Sequence, residues 1–301
     1  MTDSKYIVFD GKILNEQEFK LGHRNRAFQY GDGLFETMHA SGSKVQFFYE
    51  HIERLISGMK VLKMEIPVRF SVDTLGLQND ISKILTKNKI YKGARVRITV
   101  FRHEGGFYAP QSNECHYLIE CAALDSEKFE LNPKGLLIDV FEDMQKPINA
   151  FSKLKLTSAI YYVMAGIFKN ENKLDECLII NTKGNIAETI SSNIFIVREN
   201  TIFTPSIREG CLPGIMRQKV IELARKAGYT VHDDLAQQIQ DIMTADEIFL
   251  TNAVKGIQWV LGFKQRRYFN NVAKTLINEL NKLCFPELPQ NKDAFGIIKP
   301  T

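Results

Sequence analysis

Two lysines stand two positions apart in the stretch FSKLKLTSAIYYVMAG, residues 151–166, just before a predicted helix. Successive side chains of a strand point to opposite faces, so the alternation SKLKL predicts that Lys153 and Lys155 share one face. A lysine amine becomes a nucleophile when burial or nearby cations lower its pKa from about 10.4. The apolar segments on both sides place Lys155 close to the interior. Alternation leaves open which lysine would react, and most lysines are only solvated cations.

Two further features of the second half break local rules. Glu188 lies in NIAETISSNIFIV, a run otherwise apolar, small or uncharged. It is either an edge-strand carboxylate or an acid held for a cationic partner, because a buried carboxylate needs one. In LPGIMR, Pro213 and Gly214 end a loop, and the free N–H groups of Ile215 and Met216 open a predicted helix. Such a helix start can bind phosphate, although most bind only water.

Three arginines of the first half are candidates for binding anions. Arg54 lies on a predicted helix in EHIERL, where the simplest interpretation pairs it with Glu50. Arg97 and Arg102 lie in the predicted strand RVRITVFRHEGG and could be ordinary strand cations. Each of these residues alone is compatible with a protein that has no active site.

The elements that must position these residues form an α+β pattern. We predict a small N-terminal α+β domain over 1–124, an inter-domain linker over 125–135, and a larger domain with a C-terminal tail over 136–301. The opening YIVFDGKIL predicts a hairpin that turns at Asp10-Gly11. Apolar spacing predicts helices near 50–63, 71–88, 157–171, 215–227 and 272–283, and Gly228 fits the C′ position of the fourth.

Composition excludes several classes of function. Lys and Arg exceed Asp and Glu by 39 to 35, a surplus too small and too evenly spread for a nucleic-acid surface. The five cysteines are scattered without a CxxC pair, which favours reduced thiols over a disulfide framework or a metal site. No apolar run approaches the ~18 residues of a membrane span. We therefore expect a cytoplasmic protein without metal, membrane or nucleic-acid partners.

The order of the motifs is more specific than any one of them. FQYGDGLFETM and HIERL come first, followed by the lysine before an A…MAG helix, then AETISSNIFIV, CLPGIMRQKVIELA and ADEIFLTNA. Over roughly residues 5–262 this series resembles the class IV (fold type IV) pyridoxal-phosphate enzymes. That group includes branched-chain aminotransferases, D-amino acid aminotransferases and aminodeoxychorismate lyases. The resemblance implies a two-domain α+β fold with a β-barrel-like sheet in the larger domain, and a homodimer.

The resemblance also implies roles for residues around pyridoxal 5'-phosphate. Lys155 matches the Schiff-base lysine, because LTSAIYYVMA follows it without a gap. Glu188 matches the acid that faces the pyridine nitrogen, and Arg54 with the Ile215 and Met216 amides matches the phosphate contacts. The segment that often adds a hydroxyl to the phosphate site is Thr251, Asn252 and Ala253 here, with alanine at one expected hydroxyl position. The implied substrate-binding residues are Phe35, Arg97 and Arg102.

The activity implied by the resemblance is a choice among relatives. We favour an aminotransferase that moves an amino group between an amino acid, preferably a branched-chain-like L-amino acid, and a 2-oxo acid. An aminodeoxychorismate lyase that releases pyruvate is the alternative. A D-amino acid aminotransferase is less favoured, because the stretch FRHEGGFYAP lacks the Arg-x-His carboxylate trap. A cofactor-free binding protein on the same fold is the least favoured.

Overall fold

The computed structural model describes residues 5–286. The strands of the first half of the chain form one antiparallel sheet of six strands. The strand order is β2-β1-β6-β5-β3-β4. The strands are β1 (Tyr6–Phe9), β2 (Lys12–Asn15), β3 (Gly33–Ser41), β4 (Lys44–Val45), β5 (Gly93–Arg102) and β6 (Cys115–Ala123). The helices are α1 (Arg26–Tyr30), α2 (Phe48–Val61), α3 (Val68–Ser71) and α4 (Thr74–Lys87), with a 3-10 turn at Glu16–Glu18.

The two faces of this first sheet have different chemistry. Helices α2 and α4 bury their apolar stripes on one face, against residues such as Leu34, Met38 and Ile98. Residues directly opposite across β3 and β5 share a face, and the register pairs Thr37 with Arg97. Because side chains alternate along a strand, these residues lie on the face away from the helices. This second face carries polar groups.

The second half forms a nine-stranded mixed sheet that curls into a half-barrel. Its order is β12-β11-β10-β13-β14-β7-β8-β9, with β15 paired to β14. The strands are β7 (Leu136–Lys146), β8 (Glu176–Asn181), β9 (Ile186–Thr189), β10 (Asn193–Arg198), β11 (Thr201–Phe203), β12 (Thr230–His232), β13 (Glu247–Asn252), β14 (Gly256–Phe263) and β15 (Arg266–Arg267). The helices are α5 (Ile160–Glu171), α6 (Ile215–Lys226), α7 (Ile239–Met243) and α8 (Asn271–Cys284), with a 3-10 turn at Ile207–Glu209.

Helices α6 and α8 cover one face of this second sheet. Phe195 of β10 and Phe249 of β13 stack with their rings 4.9 Å apart and pack in the same core as Met216 and Val220 of α6. Side chains two positions along these strands therefore also face α6. This packing fixes the start of α6 against the ends of β10 and β13.

The predicted α+β class is confirmed, and the helix ends differ from prediction by only a few residues. The Asp10-Gly11 hairpin forms with both residues at positive φ, and Gly228 adopts φ +91° after α6. The proposed linker 125–135 falls between the two sheets and contains no helix or strand. The five cysteines are free, and four of them are buried, as the composition predicts. The part of the predicted tail from residue 287 lies outside the described residues.

Candidate active site

The segment before Lys155 is a turn, so the prediction of strand alternation over SKLKL is wrong. Residues 151–154 form turns and a bend. The Asn149 side chain accepts hydrogen bonds from the backbone N–H groups of Phe151 and Ser152, which draws the chain into an Asx turn. Lys153 is exposed as a result. Lys155 follows the turn, and its carbonyl accepts from the Phe35 N–H of β3 at 2.9 Å.

The Lys155 amine lies against an aromatic ring. Its Nζ is 4.4 Å from the centre of the Phe35 ring, and the guanidinium of Arg97 is 3.9 Å from the same ring. Arg97 also donates from Nε to the Thr99 hydroxyl at 3.1 Å. The polar face of the first sheet thus brings together Lys155 and the predicted substrate residues Phe35 and Arg97.

Burial shifts the Lys155 amine towards its neutral form. Burial lowers its pKa to about 8, against the opposing charge of Glu36. Arg54 and Arg97 act in the same direction as burial, whereas Glu188 opposes it. The amine can therefore be uncharged, and nucleophilic, at a pH near neutrality.

Glu188 is buried at the end of the second sheet, and both of its carboxylate oxygens accept hydrogen bonds. Its Oε1 accepts from the Lys146 ammonium and from the Tyr162 hydroxyl, the latter at 2.7 Å. Its Oε2 accepts from the Leu212 backbone N–H at 2.8 Å. Burial, followed by the charge of Glu188, raises the pKa of Tyr162, which stays a hydrogen-bond donor. Strand β9 lies at the edge of the sheet, but Glu188 pairs with the buried ammonium of Lys146. Of the two interpretations of its sequence, an acid held for a cationic partner is therefore the one that the structure supports.

Arg54 pairs with Glu36 rather than with Glu50. Its Nε and Nη2 each donate to one carboxylate oxygen of Glu36 at 2.7 Å, and His51 Nδ1 lies 2.7 Å from Glu36 Oε2. Burial alone would raise the pKa of Glu36, but the Arg54 charge and the His51 and Arg54 hydrogen bonds hold it at about 2. Glu50 instead pairs with Lys219 at 2.9 Å.

The same guanidinium reaches the start of α6. Arg54 Nη1 donates to the Pro213 carbonyl at 2.8 Å. Gly214 is the N-cap and supplies no side chain to the first helical N–H groups, which include those of Ile215 and Met216. A Cβ at Gly214 would overlap Asn193 Oδ1, so a larger residue there would require the Asn193 side chain to move. An arginine and free helix amides thus meet at one point.

Thr251 contributes a free hydroxyl on the side of the sheet where α6 begins. It pairs with Asn193 across β13 and β10, so the two side chains share a face, and it is two residues from Phe249, which packs with α6. Its Oγ1 is buried and has no hydrogen-bond partner among the described residues. A buried hydroxyl without a partner costs free energy, so its presence here fits a ligand that supplies the partner. Arginine, amides and hydroxyl are together the donor set that a phosphate requires.

The other two residues of the predicted hydroxyl segment lie differently. Asn252 donates to the Ser192 hydroxyl at 2.9 Å and accepts from the Val254 and Lys255 N–H groups. Its side chain is therefore used in shaping the turn between β13 and β14. Ala253 offers only its backbone.

Arg102 lies apart from the Lys155 amine. It is buried, donating to Asp32 at 3.0 Å and to the Leu62 carbonyl at 2.8 Å. It borders a cavity of about 350 Å³ that is also lined by Leu156 and Ser158, which follow Lys155 in the chain. Its assignment to substrate binding stays a prediction.

Sequence reasoning missed four residues of this cluster: Lys146, Tyr162, Glu36 and His51. Glu36 carried a usable signal, because it stands between Leu34 and Met38 on the apolar face of its strand. A charged residue in that position needs a buried partner. Lys146 and Tyr162 carried no local signal of this kind.

Comparisons with known proteins identify the family of the chain. The family model for amino-transferase class IV matches residues 33–262. The chain belongs to the class IV aminotransferase family. Enzymes of this family depend on pyridoxal phosphate, so the cofactor is pyridoxal 5'-phosphate. The chain is accordingly an enzyme rather than a binding protein on the same fold.

Individual relatives carry two different activities in their names. A putative branched-chain-amino-acid aminotransferase of Methanocaldococcus jannaschii is 28% identical over 254 residues, which cover 83% of this chain and 85% of the relative. An aminodeoxychorismate lyase of Bacillus subtilis is 28% identical over 251 residues, covering 82% and 83%. The solved branched-chain amino acid aminotransferase from Escherichia coli shares the fold at a TM-score of 0.83 and 20% identity, covering 96% of this chain and 97% of that one.

Residues 5–286 contain neither a membrane-spanning helix nor a group of side chains suited to a metal ion. No helix in that range is long and apolar enough to cross a membrane. In the same range, no group of three or more His, Cys, Asp or Glu side chains could hold a metal ion.

Proposed function

We propose that this enzyme is an aminotransferase that moves an amino group between a branched-chain-like L-amino acid and a 2-oxo acid, with Lys155 as its working amine. The observation that carries the proposal is the position of Lys155. Its amine, with a pKa lowered by burial to about 8, lies within electrostatic reach of both Glu188 and Arg54. Those are the two charged groups that would hold opposite ends of the cofactor.

The residues present fit pyridoxal phosphate at both ends. Arg54, the Ile215 and Met216 amides and the Thr251 hydroxyl would hold the phosphate, and Glu188 would accept a hydrogen bond from the pyridine nitrogen. Three of the five N–H groups of Arg54 are used by Glu36 and Pro213, which leaves two for a phosphate. When bound, the cofactor supplies an aldehyde for amines and an electron sink for the α-carbon.

Lys155 would carry the proton steps. In the resting enzyme its amine would hold the cofactor. When free, the same amine would act as the general base that takes the α-proton of the amino acid substrate, and as the general acid that gives this proton back in the course of amino transfer. A pKa near 8 suits this role, because the neutral base and its protonated form are both populated near neutral pH.

Phe35 and Arg97 would form one wall of the substrate site. The stacked guanidinium of Arg97 lies on the same face as the ring and could pair with a carboxylate of the substrate. Arg102 is proposed to act at the neighbouring cavity, which borders Leu156 and Ser158. The phenyl ring favours an aliphatic or aromatic side chain over a charged one.

The lyase activity is the second candidate, because a relative of equal identity is named an aminodeoxychorismate lyase. A single panel separates the two. Purified enzyme is mixed separately with L-valine, L-glutamate and D-alanine, and the formation of pyridoxamine phosphate is measured in each case. In a parallel assay, the release of pyruvate from aminodeoxychorismate is measured. Turnover with L-valine and L-glutamate supports the proposal. Pyruvate release without amino transfer would show that the enzyme is the lyase. Amino transfer from D-alanine alone would show that it is the D-amino acid aminotransferase.

We also propose that the enzyme is a cytoplasmic homodimer. Helix α5 exposes an apolar stripe, Ile160, Val163, Met164 and Ile167, at the spacing of one helix face. Apolar stripes of this kind mark interaction surfaces in soluble proteins. Five free thiols suit a reducing compartment. Sedimentation of the wild type should give the mass of a dimer. V163E should lower this mass, and V72E, at an exposed valine outside the stripe, should leave it unchanged. A monomeric wild type would contradict the proposal.

A further inference from the structure

Lys146 is a buried lysine at the end of β7 that no sequence motif singles out. Only 5% of it is exposed. Its ammonium donates to Glu188 Oε1 and, at 3.0 Å, to the Ser152 carbonyl. The Tyr162 ring lies 5.5 Å from the same ammonium. A lysine buried this deeply loses its hydration, so it needs such a partner to stay charged.

The hydrogen bonds divide the two oxygens of Glu188 unequally. Oε1 accepts from both Lys146 and Tyr162, whereas Oε2 accepts only from the Leu212 N–H among the described residues. A carboxylate oxygen offers about two acceptor positions. Oε1 is therefore filled, and one position remains on Oε2.

The charge of Lys146 matters most when the cofactor is away. A buried carboxylate without a counter-ion is unstable in its charged form. Among the groups bonded to Glu188, Lys146 is the charged one, since Tyr162 donates as a neutral hydroxyl and Leu212 through its amide. With Lys146 in place, Glu188 has a counter-ion and is held in position before a ligand arrives.

We propose that Lys146 is a positioning residue of the cofactor site, which serves as the counter-ion of Glu188 and occupies Oε1, so that the pyridine N–H of pyridoxal phosphate takes the remaining position on Oε2. The inference rests on the proposed function, because it assumes that Glu188 meets the pyridine nitrogen. Lys146 then acts through Glu188 and touches neither the substrate nor the cofactor.

A lysine that acts through its charge and a lysine that serves only packing differ in how their loss affects stability. In the loaded enzyme the protonated pyridine ring becomes a second cation beside Glu188, and it can replace the missing charge when Lys146 is removed. Loss of the lysine charge should therefore destabilise the cofactor-free protein more than the loaded one. A lysine that serves only packing would destabilise both forms equally.

The test compares melting temperatures of the wild type and Lys146→Met, each without cofactor and saturated with pyridoxal phosphate. We expect Lys146→Met to lower the melting temperature of the cofactor-free protein by roughly 6 to 12 °C. The loaded protein should lose less than half as much. Lys146→Arg, which keeps the charge, should restore most of the loss in the cofactor-free form, and the exposed-lysine control Lys153→Met should change neither form.

Equal losses in both forms, or no rescue by arginine, would overturn the inference. If Lys146→Met does not fold, the double variant Lys146→Met/Glu188→Gln tests the inference instead. The single variant leaves the charge of Glu188 buried without a partner, and the double variant removes that charge as well. Recovery of folding in the double variant supports the inference, and continued failure contradicts it. Failure of the proposed function looks different, because the wild type would then form no pyridoxamine phosphate from L-valine or L-glutamate, whatever its melting temperatures show.

Discussion

Arg54 and Glu36 form a two-pronged ion pair, in which Nε and Nη2 of the arginine donate to the two carboxylate oxygens at 2.7 Å. The pair lies between the first sheet and α2, and it fixes the plane of the guanidinium. Its remaining edge consequently faces the Pro213 carbonyl at the start of α6. Glu36 thus orients Arg54, in the first half of the chain, towards the start of helix α6 in the second half.

Arg54→Gln should weaken binding of pyridoxal phosphate by about 30-fold or more, because a charge-assisted contact worth ~2 kcal/mol is lost. Fluorescence titration of the cofactor-free protein measures the dissociation constant. Pyridoxal, which lacks the phosphate, should bind the variant and the wild type alike. Arg24→Gln, at an exposed arginine, is the control. An equal loss of affinity for pyridoxal would show that Arg54 does not contact the phosphate.

Glu36→Gln should remove a pH-dependent part of the stability. The pKa of Glu36 is depressed from 4.5 to about 2, so its ionisation stabilises the fold above pH 4.5, and the effect disappears as the pH falls towards 2. A shift of this size corresponds to about 3 kcal/mol. Urea unfolding at a series of pH values should show the gap between wild type and variant closing below pH 4.5. Exposed Glu53→Gln should show no such gap, and a gap independent of pH would contradict the assignment.

The rate of cofactor uptake should follow the pKa of Lys155. That pKa is lowered to about 8, so the neutral, reactive amine increases with pH up to about 8 and then levels off. Stopped-flow absorbance after mixing cofactor-free protein with pyridoxal phosphate gives the rate. An unburied model amine such as Nα-acetyl-lysine should continue to gain rate towards pH 10. A protein profile that follows the model amine would contradict the buried position of Lys155.

Lys155→Ala should abolish the covalent cofactor adduct, whereas Lys153→Ala should keep it. The turn held by Asn149 exposes Lys153 and leaves only Lys155 beside Phe35. Borohydride reduction followed by peptide mass spectrometry locates the modified lysine. Modification of Lys153 in the wild type would reverse the assignment.

Thr251→Val should separate ligand binding from folding. The Thr251 hydroxyl has no partner among the described residues, so its removal should leave the cofactor-free protein as stable as the wild type or slightly more so. Affinity for pyridoxal phosphate should fall about 10-fold, the effect of losing one hydrogen bond of ~1.4 kcal/mol. The control Thr204→Val removes a buried hydroxyl that donates to Ile194 at 2.8 Å, and it should destabilise the cofactor-free protein. A destabilised Thr251→Val with unchanged affinity would contradict the phosphate contact.

Local patterns were sufficient for many elements of the fold. The Asp10-Gly11 turn, the apolar stripe of α2 and the glycine after α6 each depend on residues within a few positions of one another. The same holds for the free amides at Ile215 and Met216, because a proline-glycine loop before a helical stripe specifies them. The order of the motifs added the family, which no single motif could indicate.

Local patterns failed where a long-range contact or a side-chain turn competes with them. The spacing in EHIERL indicated a pair between Arg54 and Glu50, but Glu36, buried by the sheet, offers both oxygens at fixed geometry. SKLKL alternates like a strand, yet hydrogen bonds to Asn149 bend it into a turn. In both cases the stronger interaction was absent from the local pattern.

By itself the sequence determined the class of fold and the family, and it predicted Lys155 and Glu188 as the two central groups of the site. Only the tertiary structure decided what surrounds them. Lys146 meets Glu188 across 42 positions of the chain, and Arg54 meets Pro213 across 159. Contacts between residues so far apart in the chain arise from sheet order and helix packing. The periodicity of a sequence extends over only a few helical turns or strand residues, so it cannot predict these contacts.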